Sequence, residues 1–131
     1  MKKYFTPQEV NKRLPLVKQI VGDILSRSRD LKAIMANGIP DSKNDIYQRT
    51  LQEMRSFIKE LEGLGCYYKD WNFEIGLVDF PALIDEKEAL LCWRSDEPDV
   101  RWYHSLDGGF AGRQPIPEYL LNDVPKTVHQ G

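Results

Sequence analysis

The feature that most constrains the fold of this chain is a change of hydrophobic period near Gly65. Before this point, apolar residues recur in alternating steps of three and four, the spacing of helices that pack along one seam. After it, short β-branched and aromatic runs alternate with turn residues, which is typical of strands. The sequence therefore predicts an α+β fold, with a kinked long α-helical hairpin packed on a small three- to four-stranded antiparallel β-meander.

The first helix has a well-defined start. Thr6 is its N-cap, Pro7 occupies the first helical position, and Glu9 completes a capping box. Pro15 removes a backbone donor and clashes with the preceding turn. We therefore expect a short helix over residues 7–13 that kinks into a longer one.

Two apolar seams with the same spacing predict two helices that face each other. The first seam consists of Leu14, Val17, Val21, Ile24, Ser28, Leu31 and Met35. The second, on a helix over roughly residues 43 to 63, consists of Tyr47, Thr50, Met54, Phe57, Leu61 and Leu64. A stop signal at 37–41 makes the pair an antiparallel hairpin. The apolar stripes are wider than one partner helix needs, so the sheet, a second subunit or both must cover the remainder.

Four strands are predicted after Gly65, and short connections pair the last three as hairpins. They are Cys66–Asp70, Leu77–Leu83, Glu88–Arg94 and Val100–Ser105. Pairing Ile84 with Lys87 and Ser95 with Val100 sets a register in which Trp93 faces Trp102 and Leu91 faces His104. This register places Trp102 and His104 on the core face, together with Val78, Phe80, Ala82, Ala89, Leu91, Trp93 and Val100. It places Leu77, Asp79, Cys92, Arg94, Arg101 and Tyr103 on the opposite face.

Length and composition favour a single domain over residues 1–131. It divides into a helical hairpin (1–64), an antiparallel sheet with a glycine-rich loop (65–113) and an extended tail (114–131). The chain is 41% hydrophobic and 29% charged, as in ordinary globular proteins. It has no apolar run of the roughly 20 residues that cross a bilayer, no secretion signal and only two cysteines. We therefore expect a cytoplasmic protein that does not bind membranes.

Charge is unevenly distributed along the chain. Residues 1–35 contain eight Lys and Arg against three Asp and Glu, whereas residues 36–131 contain ten against seventeen. The positive first helix is expected to face acidic parts of its own chain or of a sister subunit. Nucleic-acid binding is not expected, because no basic cluster is interleaved with aromatic residues and no nucleic-acid motif is present.

Several segments resemble one known family over most of the chain. They are Tyr4-Phe5-Thr6-Pro7 with Asn11 and Leu14-Pro15, Gly76-Leu77-Val78-Asp79-Phe80-Pro81-Ala82, Leu91-Cys92-Trp93-Arg94, and Trp102-Tyr103-His104 followed by Asp107 and Gly109-Phe110-Ala111-Gly112-Arg113. The chain resembles the bacterial and archaeal proteins grouped as domain of unknown function 2203. The resemblance implies a shared fold but no activity and no site residue, because that family is uncharacterised.

His104 and the loop that follows it are the candidates for chemistry. His104 is either a core histidine hydrogen-bonded to Ser28 or Thr50, or a general acid or base at the end of its strand. The loop from Asp107 to Arg113 is either a tight turn in which these two residues pair, or an anion site built from glycine amides and Arg113.

Metal binding and nucleophilic catalysis are not predicted. His104 and Asp107 supply two ligands at most unless Glu97 or Cys92 joins them, and the predicted register points Cys92 away. Cys92 lies inside a strand, where a packed thiol is expected instead of a reactive one.

We expect a non-enzymatic binding or assembly module that forms a homo-oligomer, most simply a two-fold dimer, through its hairpin. The alternative is a protein that binds a small anionic metabolite, or a small enzyme acting on one, with a site around His104, Asp107 and Arg113. Candidate ligand-binding residues are Asp79, Arg94, Gly109, Gly112 and Arg113. No cofactor is predicted.

Overall fold

The computed structural model describes residues 3–38, 40–41 and 44–122. In chain order the elements are α1 (Pro7–Ile34), a 3₁₀ turn (Met35–Asn37), α2 (Asp45–Gly63), β1 (Tyr67–Tyr68), β2 (Leu77–Ile84), β3 (Lys87–Arg94), β4 (Trp102–His104), a second 3₁₀ turn (Phe110–Gly112), β5 (Gln114–Pro115) and α3 (Glu118–Leu121). None of the described helices is both long and apolar enough to cross a membrane.

The strands form one antiparallel sheet in sequential order, which confirms the predicted α+β class. The sheet has five strands, so the predicted three to four are too few. The additional strand, β5, is the beginning of the predicted tail, and it forms because Pro115 pairs with Trp102 and Gln114 with Tyr103. The predicted tail also contains α3, and its last part, residues 123–131, lies outside the described residues.

Helix α1 begins as predicted but continues further as one element. Thr6 Oγ1 accepts a hydrogen bond from the Glu9 amide at 3.1 Å, and Glu9 Oε1 accepts one from the Thr6 amide at 2.9 Å. We expected a short helix over residues 7–13 that kinks into a longer one, and the structure has a single helix that runs through Pro15. Pro15 is exposed. Its ring therefore lies on the solvent side of α1, where the loss of one helical hydrogen bond is tolerated.

Helices α1 and α2 pack through the predicted seams and cover one face of the sheet, here called the inner face. The buried seam residues are Leu14, Val17, Val21, Ile24 and Ser28 on α1, with Thr50, Met54 and Leu61 on α2. The inner face contributes Val78, Phe80, Ala82, Ala89, Leu91 and Trp93 to the same core. The opposite face of β2, β3 and β4 is called the outer face.

The turn between β2 and β3 fixes the first register as predicted. Asp85 and Glu86 both have positive φ, 51° and 68°, as in the two-residue turns that match the twist of a hairpin. The predicted pairs Ile84 with Lys87, Phe80 with Leu91 and Val78 with Trp93 are all confirmed.

The predicted register between β3 and β4 is wrong by one residue. The structure pairs Leu90 with His104, Leu91 with Tyr103, and Cys92 with Trp102. The connection is a longer loop instead of a tight hairpin, and two of its residues, Glu97 and Val100, bond outside the strand pair. The Glu97 carboxylate accepts two hydrogen bonds from Arg113 at 2.7 and 2.9 Å. Val100 donates its amide hydrogen to Asn11 Oδ1 on α1 at 2.8 Å.

This shift exchanges the faces of β4, because neighbouring residues of a strand point to opposite sides of a sheet. Trp102 and His104 lie on the outer face with Asp79 and Cys92, and Tyr103 packs against the core. His104 is buried but does not bond to Ser28 or Thr50 as one prediction proposed.

Candidate functional site

The outer face of the sheet carries a pocket of about 300 Å³, closed on one side by the loop after β4. Its apolar walls are Leu77, Leu90, Leu106 and Phe110. Lys69, Asp107 and Gly109 are further exposed residues of the lining, and Asp79, Cys92 and His104 are three buried polar side chains. A different pocket of about 220 Å³, between the start of α1 and α3, has no buried ionisable side chain in its lining. The outer-face pocket is therefore the candidate site.

The three buried polar side chains form a compact cluster. Asp79, Cys92 and His104 are only 3%, 1% and 3% exposed. One potential ligand atom from each lies within 4.8 Å of the other two, and His104 Nε2 is 3.0 Å from Asp79 Oδ2. The strand registers produce this cluster, because Asp79 is paired directly with Cys92 and the β4 register turns His104 to the same face.

The hydrogen bonds of His104 determine where its ring hydrogen lies. Nδ1 is 2.7 Å from the carbonyl oxygen of Ser105. Since a carbonyl oxygen only accepts, Nδ1 carries a hydrogen and donates it. Nε2 then faces the carboxyl group of Asp79. A nitrogen lone pair and a carboxylate oxygen repel each other unless a positive charge lies between them. That charge is either a proton on one of the two groups or a metal ion bound by both.

Burial controls the protonation of the other two members of the cluster. It raises the pKa of Asp79 above the usual range of a carboxyl group, although the nearby His104 and Lys69 oppose this shift. Burial also raises the pKa of Cys92 to about 12, and the charge of Asp79 adds to the effect, while Arg113 acts against it. The metal-free thiol is therefore protonated at neutral pH and is not an activated nucleophile.

Arg113 lies next to the pocket but does not line it. Its guanidinium forms two hydrogen bonds with the Glu97 carboxylate, at 2.7 and 2.9 Å. Its Nη2 also donates to the Cys92 carbonyl oxygen at 2.9 Å. The ring centroids of Phe110 and Trp102 lie 4.8 and 5.2 Å from the guanidinium carbon. These contacts occupy the Arg113 guanidinium and hold it outside the pocket lining.

The structure does not form the predicted pair between Asp107 and Arg113. Asp107 accepts a hydrogen bond from Ser105 Oγ at 3.0 Å, whereas Arg113 reaches Glu97 on the loop between β3 and β4. The sequence does not indicate this pairing, because the two residues are sixteen apart in the chain and meet only once β3, β4 and β5 align.

The remaining predicted residues divide between the pocket and its surroundings. Asp79, His104, Asp107 and Gly109 share the pocket. Arg94 and Gly112 do not line it: Arg94 Nε donates to Asp96 Oδ1 at 2.6 Å, and the Gly112 amide donates to the Gly109 carbonyl at 3.0 Å. The two glycines thus form a tight turn, in which Gly109 has a φ of 62°.

Two polar residues of the pocket were not predicted to belong to the site, Cys92 and Lys69. Cys92 was assigned to the correct face but separated from His104 by the register error. Once that register is corrected, the predicted argument against a metal, that Cys92 points away from His104, no longer applies.

A short loop between β1 and β2 places Lys69 at the pocket. The Lys69 amide donates to the Leu77 carbonyl at 2.7 Å. Next to it, Asp70 Oδ2 accepts hydrogen bonds from three consecutive backbone amides, those of residues 74–76, at 2.8 to 2.9 Å. The Lys69 ammonium forms no hydrogen bond or ion pair with the described residues. Its charge acts on nearby Asp79, whose pKa it lowers, and the ammonium can also contact a ligand in the pocket.

Comparison with known proteins identifies a family but no activity. The family model described as "Uncharacterized conserved protein (DUF2203)" matches residues 3–116. This range contains the two helices of the hairpin, all of the strands and every residue of the pocket, and it confirms the resemblance seen in the sequence. No curated protein and no solved structure matches the chain.

Proposed function

The chain belongs to the DUF2203 family of uncharacterised conserved proteins, and we propose from the site alone that it binds a small organic anion in the outer-face pocket. One observation carries this proposal. The pocket has apolar walls and a few polar groups that meet at its base, which is the usual composition of a small-molecule site. A sheet face that served only as a contact surface for another protein would not need three buried polar side chains at one point, because burying polar groups costs free energy.

The lining indicates the kind of ligand. A volume of about 300 Å³ is at the low end for small-molecule sites, so the ligand is small. The unpaired Lys69 ammonium supplies a positive charge at the pocket. Leu77, Leu90, Leu106 and Phe110 supply apolar contact. A short aliphatic or aromatic carboxylate satisfies both requirements, and Lys69 replaces Arg113 as the residue that attracts its charge.

A homologous series of carboxylates tests the proposal. We expect acetate, butyrate and hexanoate to bind with increasing affinity, because each added methylene buries apolar surface worth about 0.8 kcal/mol. Hexanamide, which lacks the charge, should bind more weakly. The amide signals that shift in ¹H–¹⁵N NMR spectra should belong to β2, β3, β4 and the loop after β4.

Two lysine variants separate specific binding from general charge attraction. Lys69→Gln should weaken hexanoate binding by roughly tenfold, the equivalent of one lost charge-assisted hydrogen bond. Lys87→Gln is the matched control, since Lys87 is an exposed lysine of the same sheet outside this pocket. Equal binding by both variants, or shifts spread over the whole surface, would contradict the proposal.

A second candidate function is self-assembly through the helical hairpin. Ile46 on α2 is 63% exposed, and Phe57 and Ile58 on the same helix are half-buried. Residues 1–35 carry a net charge of +5 and the remainder −7. A two-fold dimer would bring opposite charges together and cover the apolar side chains of α2.

Light scattering at high micromolar concentration tests this assembly. We expect a dimer mass for the wild-type chain and a monomer mass for Ile46→Glu. Leu83→Glu should remain dimeric, because Leu83 is an exposed apolar residue of the sheet, away from α2. A monomeric wild-type protein would remove this candidate.

The state of the cysteines supports a cytoplasmic location. Cys66 and Cys92 are both unpaired and buried, as in proteins from reducing compartments. Cell fractionation with the chain expressed in its natural host tests this assignment, and recovery outside the cytoplasm would contradict it.

A further inference from the structure

We propose that Asp79, Cys92 and His104 form a binding site for one divalent transition-metal ion of the zinc class, at the base of the outer-face pocket. This inference goes beyond the binding of an organic anion, and either can hold without the other. It rests on the positions of the three side chains, on the hydrogen bond behind His104 and on the chemical types of the donor atoms.

The positions of the donors suit a metal site. In a tetrahedral zinc site with bonds of about 2.0 to 2.3 Å, neighbouring ligand atoms lie about 3.3 to 3.7 Å apart. Here the three candidate atoms all lie within 4.8 Å of one another, and the nitrogen–oxygen pair is at 3.0 Å. Side-chain rotations on three neighbouring strands can adjust these separations to the tetrahedral values. The strands themselves need not move.

The hydrogen bond behind His104 is the one that metal-binding histidines use. Such histidines almost always donate their second ring hydrogen to a carboxylate, a carbonyl or water, which orients the ring and fixes its tautomer. His104 Nδ1 donates to the Ser105 carbonyl at 2.7 Å. The lone pair of Nε2 therefore points towards the carboxyl group of Asp79. A metal ion bound by both atoms supplies the positive charge that this contact requires.

The donor set indicates the class of metal. A thiolate, an imidazole and a carboxylate match zinc or a neighbouring first-row metal such as iron(II) or cobalt(II). Magnesium and calcium prefer sites made only of oxygen atoms. Three protein ligands beside an open pocket also leave one coordination position for water or a ligand, as in catalytic zinc sites, whereas structural sites use four protein ligands.

A Cys-His-Asp nucleophile arrangement fits the same residues less well. In that arrangement the histidine contacts the thiol and is oriented by the carboxylate. Here His104 Nε2 contacts Asp79, and the other ring nitrogen is bonded to a backbone carbonyl. The order of contacts therefore favours joint coordination over proton transfer from the thiol.

Cobalt(II) provides a direct test, because tetrahedral coordination with a thiolate gives intense visible bands and a thiolate-to-cobalt band in the near ultraviolet. The tag-free full chain, reduced and treated with a chelator, is titrated with cobalt(II). We expect one ion per chain with the thiolate band, displaced by zinc and unaffected by magnesium. The absence of the thiolate band from the wild-type titration would overturn the proposal, whatever the variants show.

Variants then test the assigned ligands. Cys92→Ser should abolish the thiolate band, and His104→Gln should weaken cobalt binding by more than about 100-fold, the upper range for loss of a supporting residue. Cys66→Ser is the matched control, since Cys66 is the other buried cysteine and is absent from the cluster. A band that survives Cys92→Ser but not Cys66→Ser would overturn the assignment. Circular dichroism confirms that each variant is folded.

Hexanoate titrations of the metal-free and zinc-loaded chain keep the two proposals apart. Hexanoate binding that depends on Lys69 in a chain that does not bind cobalt would retain the pocket and refute the metal site. If the chain binds cobalt with the expected band but binds none of the carboxylates, the metal site is retained and the proposal of organic-anion binding is refuted.

Discussion

The pair formed by Glu97 and Arg113 offers a sharp test of how the outer face is held together. The two side chains are only 14% and 11% exposed, and they share two hydrogen bonds at 2.7 and 2.9 Å. The same Glu97 carboxylate accepts the Arg94 amide at 2.7 Å. The pair therefore joins the end of β3 to the beginning of β5. It is also linked to the backbone of Cys92, because Arg113 donates a hydrogen bond to the Cys92 carbonyl oxygen.

Arg113→Met removes the charge while keeping apolar contact with the neighbouring rings. Breaking a buried ion pair typically costs about 3 to 5 kcal/mol, because the remaining charge is left without compensation. The total unfolding free energy of a domain is about 5 to 15 kcal/mol. This variant should therefore lose a large part of its stability, and the loss should appear as a lower urea midpoint in tryptophan fluorescence and circular dichroism.

Arg101→Met is the matched control, since Arg101 also forms two hydrogen bonds with a carboxylate, that of Asp99. Its side chain is 63% exposed, so the change should cost at most about 1 kcal/mol. Glu97→Gln combined with Arg113→Met should be less destabilised than the two single changes added, by about 1 to 3 kcal/mol. Equal costs for Arg113→Met and Arg101→Met would refute the reasoning.

Three further predictions concern positions outside this pair. Asp70→Asn should cost about 1 to 3 kcal/mol at neutral pH. Burial raises the pKa of Asp70, but hydrogen bonds from backbone amides lower it by more, so its pKa is lower in the folded chain than in the unfolded chain. The contribution of Asp70 to the free energy of unfolding is therefore present above the unfolded pKa of about 3.9 and is lost as pH falls through the folded pKa. Urea curves of the variant and wild type should therefore converge in acid. Gly76→Ala should cost about 2 to 4 kcal/mol in thermal unfolding, because φ is +89° and the new Cβ would lie 2.7 Å from Val21 Cγ1. Gly63→Ala, which meets nothing within 4 Å, should be neutral or stabilising. Burial raises the pKa of Cys66 to about 12, so iodoacetamide should label it only as fast as the chain unfolds, and rapid labelling at pH 8 would contradict its burial.

Elements that depend on neighbouring residues were predictable from the sequence. The capping box of α1 closes within three residues, and the register of β2 with β3 follows from a two-residue turn. The central positions of the helix seams were also correct, because their apolar spacing repeats over several turns. Met35, the last position of the first seam, lies in the 3₁₀ turn after α1 and is 37% exposed. Continuity of α1 through Pro15 was not predictable from local sterics alone. Buried residues on both sides of it, Leu14 before and Val17 after, hold α1 against the core.

The register of β4 depends on distant groups, which explains the error. Asn11 on α1 accepts the hydrogen of the Val100 amide, so this amide does not bond to a neighbouring strand, and Glu97 binds Arg113, the residue before β5. Neither contact is visible as a local pattern. A one-residue shift then moves His104 to the outer face, so the candidate site could not be assembled from the predicted sheet, although Asp79, His104, Asp107 and Gly109 had been identified as candidates.

A physical argument could nevertheless have selected the correct register. β2 is buried along nearly its whole length, and Asp79 is an acidic residue in its interior, paired with Cys92 in both the predicted and the observed sheet. A buried carboxylate requires a hydrogen-bond donor or a positive charge. Of the two possible registers of β4, the predicted one places His104 on the inner face, where it cannot reach Asp79. The observed register brings His104 Nε2 to 3.0 Å. Compensation of Asp79 therefore favours the observed register, and the same requirement creates the site, because a proton or a metal ion can provide the compensating charge.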